Sequence, residues 1–165
     1  MKCCFTGHRP NKLPWGYKEE GIRFFLFWRK LKKTILNAIN DGYDYFISGM
    51  AIGIDMLCAE IVLELKKRHP NIKLECAIPC LNQTAKWNDE SKIRYDNILK
   101  QADKITYVSD CNYYNGCMAK RNKYMIDNSD MLIAVFNGSA GGTKQTIEMA
   151  KNSSLIIDII KINLI

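Results

Sequence analysis

Short apolar runs alternate along the chain with longer stretches whose apolar residues fall at helical spacing. Lys2 to Phe5 is apolar and breaks at Thr6-Gly7, which predicts a first strand and its exit loop. Tyr17 to Asn40 predicts a long helix, ended by the turn signal Asp41-Gly42. Tyr43 to Ile47 predicts a second strand, closed by Ser48-Gly49. From Ile54 to Arg68 the residues Leu57, Ile61 and Leu65 recur at helical spacing, with Pro70 just beyond.

Ile72, Leu74, Cys76 and Ile78 alternate with other residues, a strand pattern that stops at Pro79. A helix is expected from Ala85 to Gln101, then a strand from Lys104 to Val108 and a loop at Asn112 to Gly116. Met118 to Asn128 predicts another helix. Met131 to Phe136 is a continuous apolar run, as in a strand buried on both faces. The glycine-rich Gly138 to Thr143 leads into a helix ending near Asn152, and Leu155 to Ile162 predicts a last strand. This alternation predicts an α/β fold: a single Rossmann-like, doubly wound, mostly parallel sheet with helices on both faces. One domain over residues 1–165 is expected, since the pattern has no linker or repeat.

Composition narrows the function classes. No apolar stretch approaches the ~20 residues that span a bilayer, so no membrane contact is expected. Met1 to Gly7 lacks the pattern of a signal peptide, and a cytoplasmic location is expected. The seven cysteines lack paired zinc-knuckle spacing, so free thiols and no metal site are expected. No cofactor is called for. A net charge of +7 favours anionic ligands, nucleic acid among them, although the charge is spread thinly. Phe24-Phe25-Leu26-Phe27-Trp28 is broader than a one-sided stripe needs, and its outer side is a candidate contact between subunits.

Three loops that follow predicted strands carry the candidate chemistry. In the first, Gly7 allows close backbone approach while Thr6, His8 and Arg9 supply donors; an arginine forks onto phosphate or carboxylate. The second runs from Ser48 to Asp55, and Gly49 and Gly53 before a helix resemble a phosphate cradle. Asp55 is suited to a ribose hydroxyl, to holding the loop, or to the first helical turn. In the third, Gly141 and Gly142 precede Thr143, which is placed to cap the helix or to meet a phosphate oxygen. In a doubly wound sheet these loops converge at one edge. Gln83 and Trp87, four residues apart, are expected on one helix face, where they either flank a base or anchor the helix.

The segments Ser48 to Asp55, Met118 to Asn122, Ser129-Asp130 and Gly141 to Thr143 resemble the SLOG superfamily. That superfamily joins the DNA-processing protein DprA with the LOG phosphoribohydrolases. Within it the chain is most similar to the YpsA-like bacterial family, through Thr6-Gly-His-Arg-Pro10, Ile78-Pro79, Gln83, Trp87, Arg94-Tyr95 and Arg121 to Met125. The resemblance implies a Rossmann-like fold that binds a nucleotide or nucleotide derivative, with Arg121 and Asn122 at the site. Arg121 falls on the LOG catalytic arginine. The LOG motif glutamate, however, aligns with Thr146, and Glu148 lies roughly 200° around the helix from it. Three functions follow as expectations: a nucleotide-binding sensor or regulator, a nucleotide N-glycosidase using Arg121 with Asp55, Glu60 or Glu148 as acid, and a DprA-like single-strand DNA binder.

Overall fold

The computed structural model describes residues 1–163; the last two residues of the expected domain lie outside the described residues. The strands are β1 (Lys2–Gly7), β2 (Tyr45–Ser48), β3 (Lys73–Ile78), β4 (Lys104–Tyr107), β5 (Met131–Phe136) and β6 (Ile156–Lys161). The α-helices are α1 (Gly21–Asn40), α2 (Ile54–Lys66), α3 (Asp89–Leu99), α4 (Cys117–Asp127) and α5 (Gly142–Asn152). All six strands are parallel, in the order β4-β3-β2-β1-β5-β6. The chain therefore steps outward from β1 to one edge, crosses back, and continues from β5 to the other. A Rossmann-like sheet binds its ligands where the order reverses, here between the carboxyl ends of β1 and β5.

Two apolar layers hold the helices to the sheet. Phe27, Leu31, Ile35 and Ala38 form the buried stripe of α1 and share one layer with α2 and α3. Met125 and Ile126 of α4 and Ile147 and Ala150 of α5 build the other. Strand β5 feeds both, with Ile133 and Val135 on one side and Leu132 and Ala134 on the other, as its continuous apolar run predicts. Gly42, at φ +95°, ends α1 in a Schellman turn: Tyr43 N–H bonds Ala38 C=O and Gly42 N–H bonds Ile39 C=O, both at 3.0 Å.

Several boundaries move. Helix α1 begins at Gly21, not Tyr17, because the preceding residues turn to lay Trp15 against Phe24 and Phe27. Helix α3 begins at Asp89 rather than Ala85; Asn88 caps it by accepting the Ser91 N–H at 2.8 Å, and Asp89 and Glu90 follow in the first turn. A short 3-10 turn at Pro10–Lys12, absent from the sequence pattern, follows the first loop. All seven cysteines are free thiols, and only Cys111 is exposed. In the aromatic cluster Phe27 is buried and Phe24 and Trp28 lean on the core, whereas Phe25 and Leu26 face outward. Among the described residues no helix is long and apolar enough to cross a membrane.

Candidate functional site

At the carboxyl ends of β1 and β5 lies a cavity of about 260 Å³. Its walls include Thr6, Gly7, His8 and Arg9 from the first loop, Asp55 from α2, Arg121 and Asn122 from α4, and Gly142 and Thr143 from α5. A wider groove of about 870 Å³ adjoins it, and Arg9, Asn11 and Met118 line both. Gln83 and Trp87 lie in the groove, together with Tyr17, Ile52 and Tyr113.

The first loop is tied to the third. Asn137 N–H donates to His8 Nε2 at 3.1 Å, which leaves the ring proton on Nδ1, facing Thr143 Oγ1 at 3.5 Å. His8 is thus a buried strut between β1 and β5 rather than a free donor. Burial, reinforced by the Lys12 charge, lowers its pKa from the usual 6.5. Between the folded value and 6.5 the unfolded chain then binds the extra proton, so stability present above pH 6.5 is lost as pH falls through it. Thermal melts from pH 7.5 to 5.5 are expected to show a steeper loss for the wild type than for His8→Gln. Lys12 closes the same side, donating to Ala140 C=O at 2.8 Å and to Ser139 Oγ at 3.3 Å. Arg9 differs from these neighbours: it is exposed and has no ion pair or side-chain hydrogen bond among the described residues.

The second loop is braced from within. Ser48 Oγ donates to Asp55 C=O at 2.8 Å and accepts the Met50 N–H at 3.2 Å, while Asp55 Oδ2 accepts the Ala51 N–H at 3.4 Å. At the start of α2, Ile54 N–H bonds His8 C=O and Met56 N–H bonds Ala51 C=O. The Ile54 and Met56 amides expected there for an anion are therefore engaged. Ser48, Gly49 and Gly53 build the loop from behind and do not line the cavity. Gly49 is glycine because a Cβ would collide with the Arg121 guanidinium and lie 2.8 Å from Asp55 Oδ2.

Arg121 is buried. Its Nε donates to Asn122 Oδ1 at 2.8 Å, and Nη1 bonds Gly49 C=O and lies 3.9 Å from Asp55 Oδ2. Burial pulls the Arg121 pKa down and pushes that of Asp55 up; in each case the partner's charge opposes the shift.

The third loop supplies the open helix start. No side chain caps α5, whose N-cap is Gly141 at φ +140°. A Cβ on Gly142 would meet nothing within 4 Å, so protein packing does not require a glycine there. Thr146 is buried; its Oγ1 donates to Gly142 C=O at 2.8 Å and accepts from Asn122 Nδ2 at 3.0 Å. Glu148 is exposed, and Glu60 is held by Arg94 at 2.6 and 2.7 Å. Arg94 also binds Glu19 at 2.9 Å, which makes it a structural clamp. Among the described residues Asp55 is the one acid lining the cavity.

Gln83 and Trp87 do not share a helix face, because residues 81–86 form turns before α3. The turns nevertheless bring both into the groove, where Trp87 also packs edge-on against Tyr95 at 5.5 Å. The glycine signal misses Asn11, Lys12, Met118, Tyr17 and Tyr113. Of these, Met118 opens the Met118 to Asn122 segment that carries the family resemblance, and Asn11 and Lys12 carried a hint as polar residues directly after the Arg9-Pro10 turn.

Comparison with known proteins places this geometry. The profile described as the YspA SLOG family matches residues 3–163. A UPF0398 protein of Brevibacillus brevis is 31% identical over 137 residues, covering 78% of this chain and 73% of that protein. The SPbeta prophage-derived protein YoqJ of Bacillus subtilis is 36% identical over 121 residues, covering 67% and 71%. A structure of DNA processing protein A from Helicobacter pylori, solved for its single-stranded DNA binding mode, superposes with a TM-score of 0.65 at 15% identity. The superposition covers 99% of this chain but 66% of that one, and it shows a shared fold.

Proposed function

The chain belongs to the YspA SLOG family, and from that premise we propose that the crevice binds a nucleotide or a related phosphate-bearing small molecule as a sensor or regulator. The observation that carries this reading is Arg9: an exposed arginine, with no ion pair or side-chain hydrogen bond among the described residues, lines both the small cavity and the wide groove, beside the uncapped start of α5. A helix N-terminus offers unsatisfied N–H groups and a favourable dipole to an anion, and a guanidinium adds a forked, charged donor. The small cavity suits the phosphate and sugar, and the groove suits a base or second group. Thr146 supports binding without LOG-type cleavage, since a threonine committed to Gly142 and Asn122 supplies no carboxylate to an oxocarbenium-like centre.

Thermal melts with ribose 5-phosphate, nucleoside monophosphates and ADP-ribose test the reading. A ligand at about 100 times its Kd adds about 2.7 kcal/mol and raises the midpoint by several degrees. The same mixtures are expected to release no free base. A flat response to the whole panel overturns the proposal.

A second reading, single-strand DNA binding, is favoured by the exposed Tyr17 and Tyr113 beside Arg9 and Lys86 in the groove, since bases stack on aromatic rings along a basic track. Under it a short oligonucleotide binds with affinity that falls steeply with salt. No binding at low salt ends that reading.

A further inference from the structure

Gln83 is only 9% exposed and lines the groove. Its orientation is set by its donor end: Nε2 gives hydrogen bonds to Met50 C=O at 3.2 Å and Gly49 C=O at 3.4 Å. Two carbonyls require an N–H, so the amide cannot be turned the other way round. The acceptor end, Oε1, is buried and has no hydrogen-bond partner among the described residues, so a donor from the groove reaches it when a neighbouring side chain gives way. A buried acceptor left without a donor is unfavourable, and such groups in native structures ask for a missing partner. The surroundings suit a flat ring: Trp87, Ile52 and Tyr113 line the same groove, and Arg9 connects it to the cavity proposed for phosphate.

We infer that the groove takes the base of the bound nucleotide and that Gln83 Oε1 accepts a hydrogen bond from an amino group on that base, adenine being the simplest case. This rests on the nucleotide reading above and narrows it to amino-bearing bases. The complementary partner is a donor because the unpaired end of Gln83 is an acceptor; a ring edge carrying only acceptors would leave Oε1 unpaired and add its own unmet lone pair. Gln83 thereby acts as the selectivity residue, while its Nε2 end keeps the Gly49-Met50 backbone in place.

The test compares two ligands that differ by that amino group, AMP and purine riboside 5′-monophosphate, by calorimetric titration, with ribose 5-phosphate as the base-free reference. The wild type is expected to bind AMP about fivefold to tenfold more tightly than the purine analogue, the ratio one net hydrogen bond produces. In Gln83→Met the ratio is expected to fall to one; because both ligands are read in the same variant, any change in loop stability cancels. Equal affinities in the wild type, or a ratio that persists in Gln83→Met, overturn the assignment. If ribose 5-phosphate binds and the ratio is one, the base reading alone fails. If none of the three ligands binds, the nucleotide reading itself fails.

Discussion

Gly53→Ala is expected to lower stability by about 3 kcal/mol, roughly a 6–12 °C fall in the thermal midpoint for a domain of this size. Gly53 sits at φ +103° and ψ −127°, a backbone conformation that residues with a Cβ rarely adopt. A methyl group there would lie 2.6 Å from the His8 carbonyl oxygen and 3.2 Å from both Arg9 Cα and Pro10 Cδ. These atoms belong to the backbone and proline ring of the first loop, which is itself anchored by Asn137 through the His8 ring. Nothing flexible can swing aside. The substitution therefore separates α2 from the exit of β1 and disturbs the cavity from behind. Gly142→Ala is the matched control, since its Cβ enters open space and stability is expected to change by less than about 0.5 kcal/mol. Denaturant melts of the two variants decide the matter, and a Gly53→Ala loss below about 1 kcal/mol contradicts the account.

The second large effect concerns binding rather than folding. Arg9→Glu is expected to weaken the best phosphate-bearing ligand about 100-fold, while the thermal midpoint stays within about 2 °C. Stability holds because Arg9 is exposed and makes no ion pair or side-chain hydrogen bond among the described residues, its charge reaching Asp55 and Arg121 only at longer range. Affinity falls because charged hydrogen bonds to an anion are lost and a like charge replaces them. Arg121 makes the instructive contrast. It is buried between Gly49 and Asp55, so Arg121→Ala leaves a buried carboxylate without its counter-charge and removes structure along with function. Unchanged ligand affinity in Arg9→Glu, measured by calorimetry, removes the observation on which the proposed function stands.

Much of this arrangement is legible in the sequence because it is local. Glycines directly after apolar strands mark the three loops, and the unbroken apolar run of Met131 to Phe136 places β5 in the interior of the sheet, between β1 and β6. The alternation of elements leads to parallel strands and so to loops gathered at one edge. What the sequence hides is set by partners distant along the chain. His8 reads as a free donor until Asn137 and Thr143, about 130 residues later, engage both ring nitrogens. The Ser48 to Asp55 loop reads as a phosphate cradle until its own side chains and the His8 carbonyl engage the Met50, Ala51 and Ile54 amides. Gln83 and Trp87 reach the groove through a turn that helical spacing misplaces, although Asn88-Asp89-Glu90 carried the cap signal. Lys12 gave no signal for its bond to Ala140, a residue 128 positions later in the chain.

The central claim is that a phosphate-bearing ligand sits at the start of α5, against Arg9. Amide chemical-shift mapping of the ¹⁵N-labelled protein with ribose 5-phosphate tests it at residue level. The largest shifts are expected at Gly142, Thr143 and Arg9, with saturation at a single affinity. No perturbation, or shifts centred on the exposed face of α1 or the β4 edge, would contradict it.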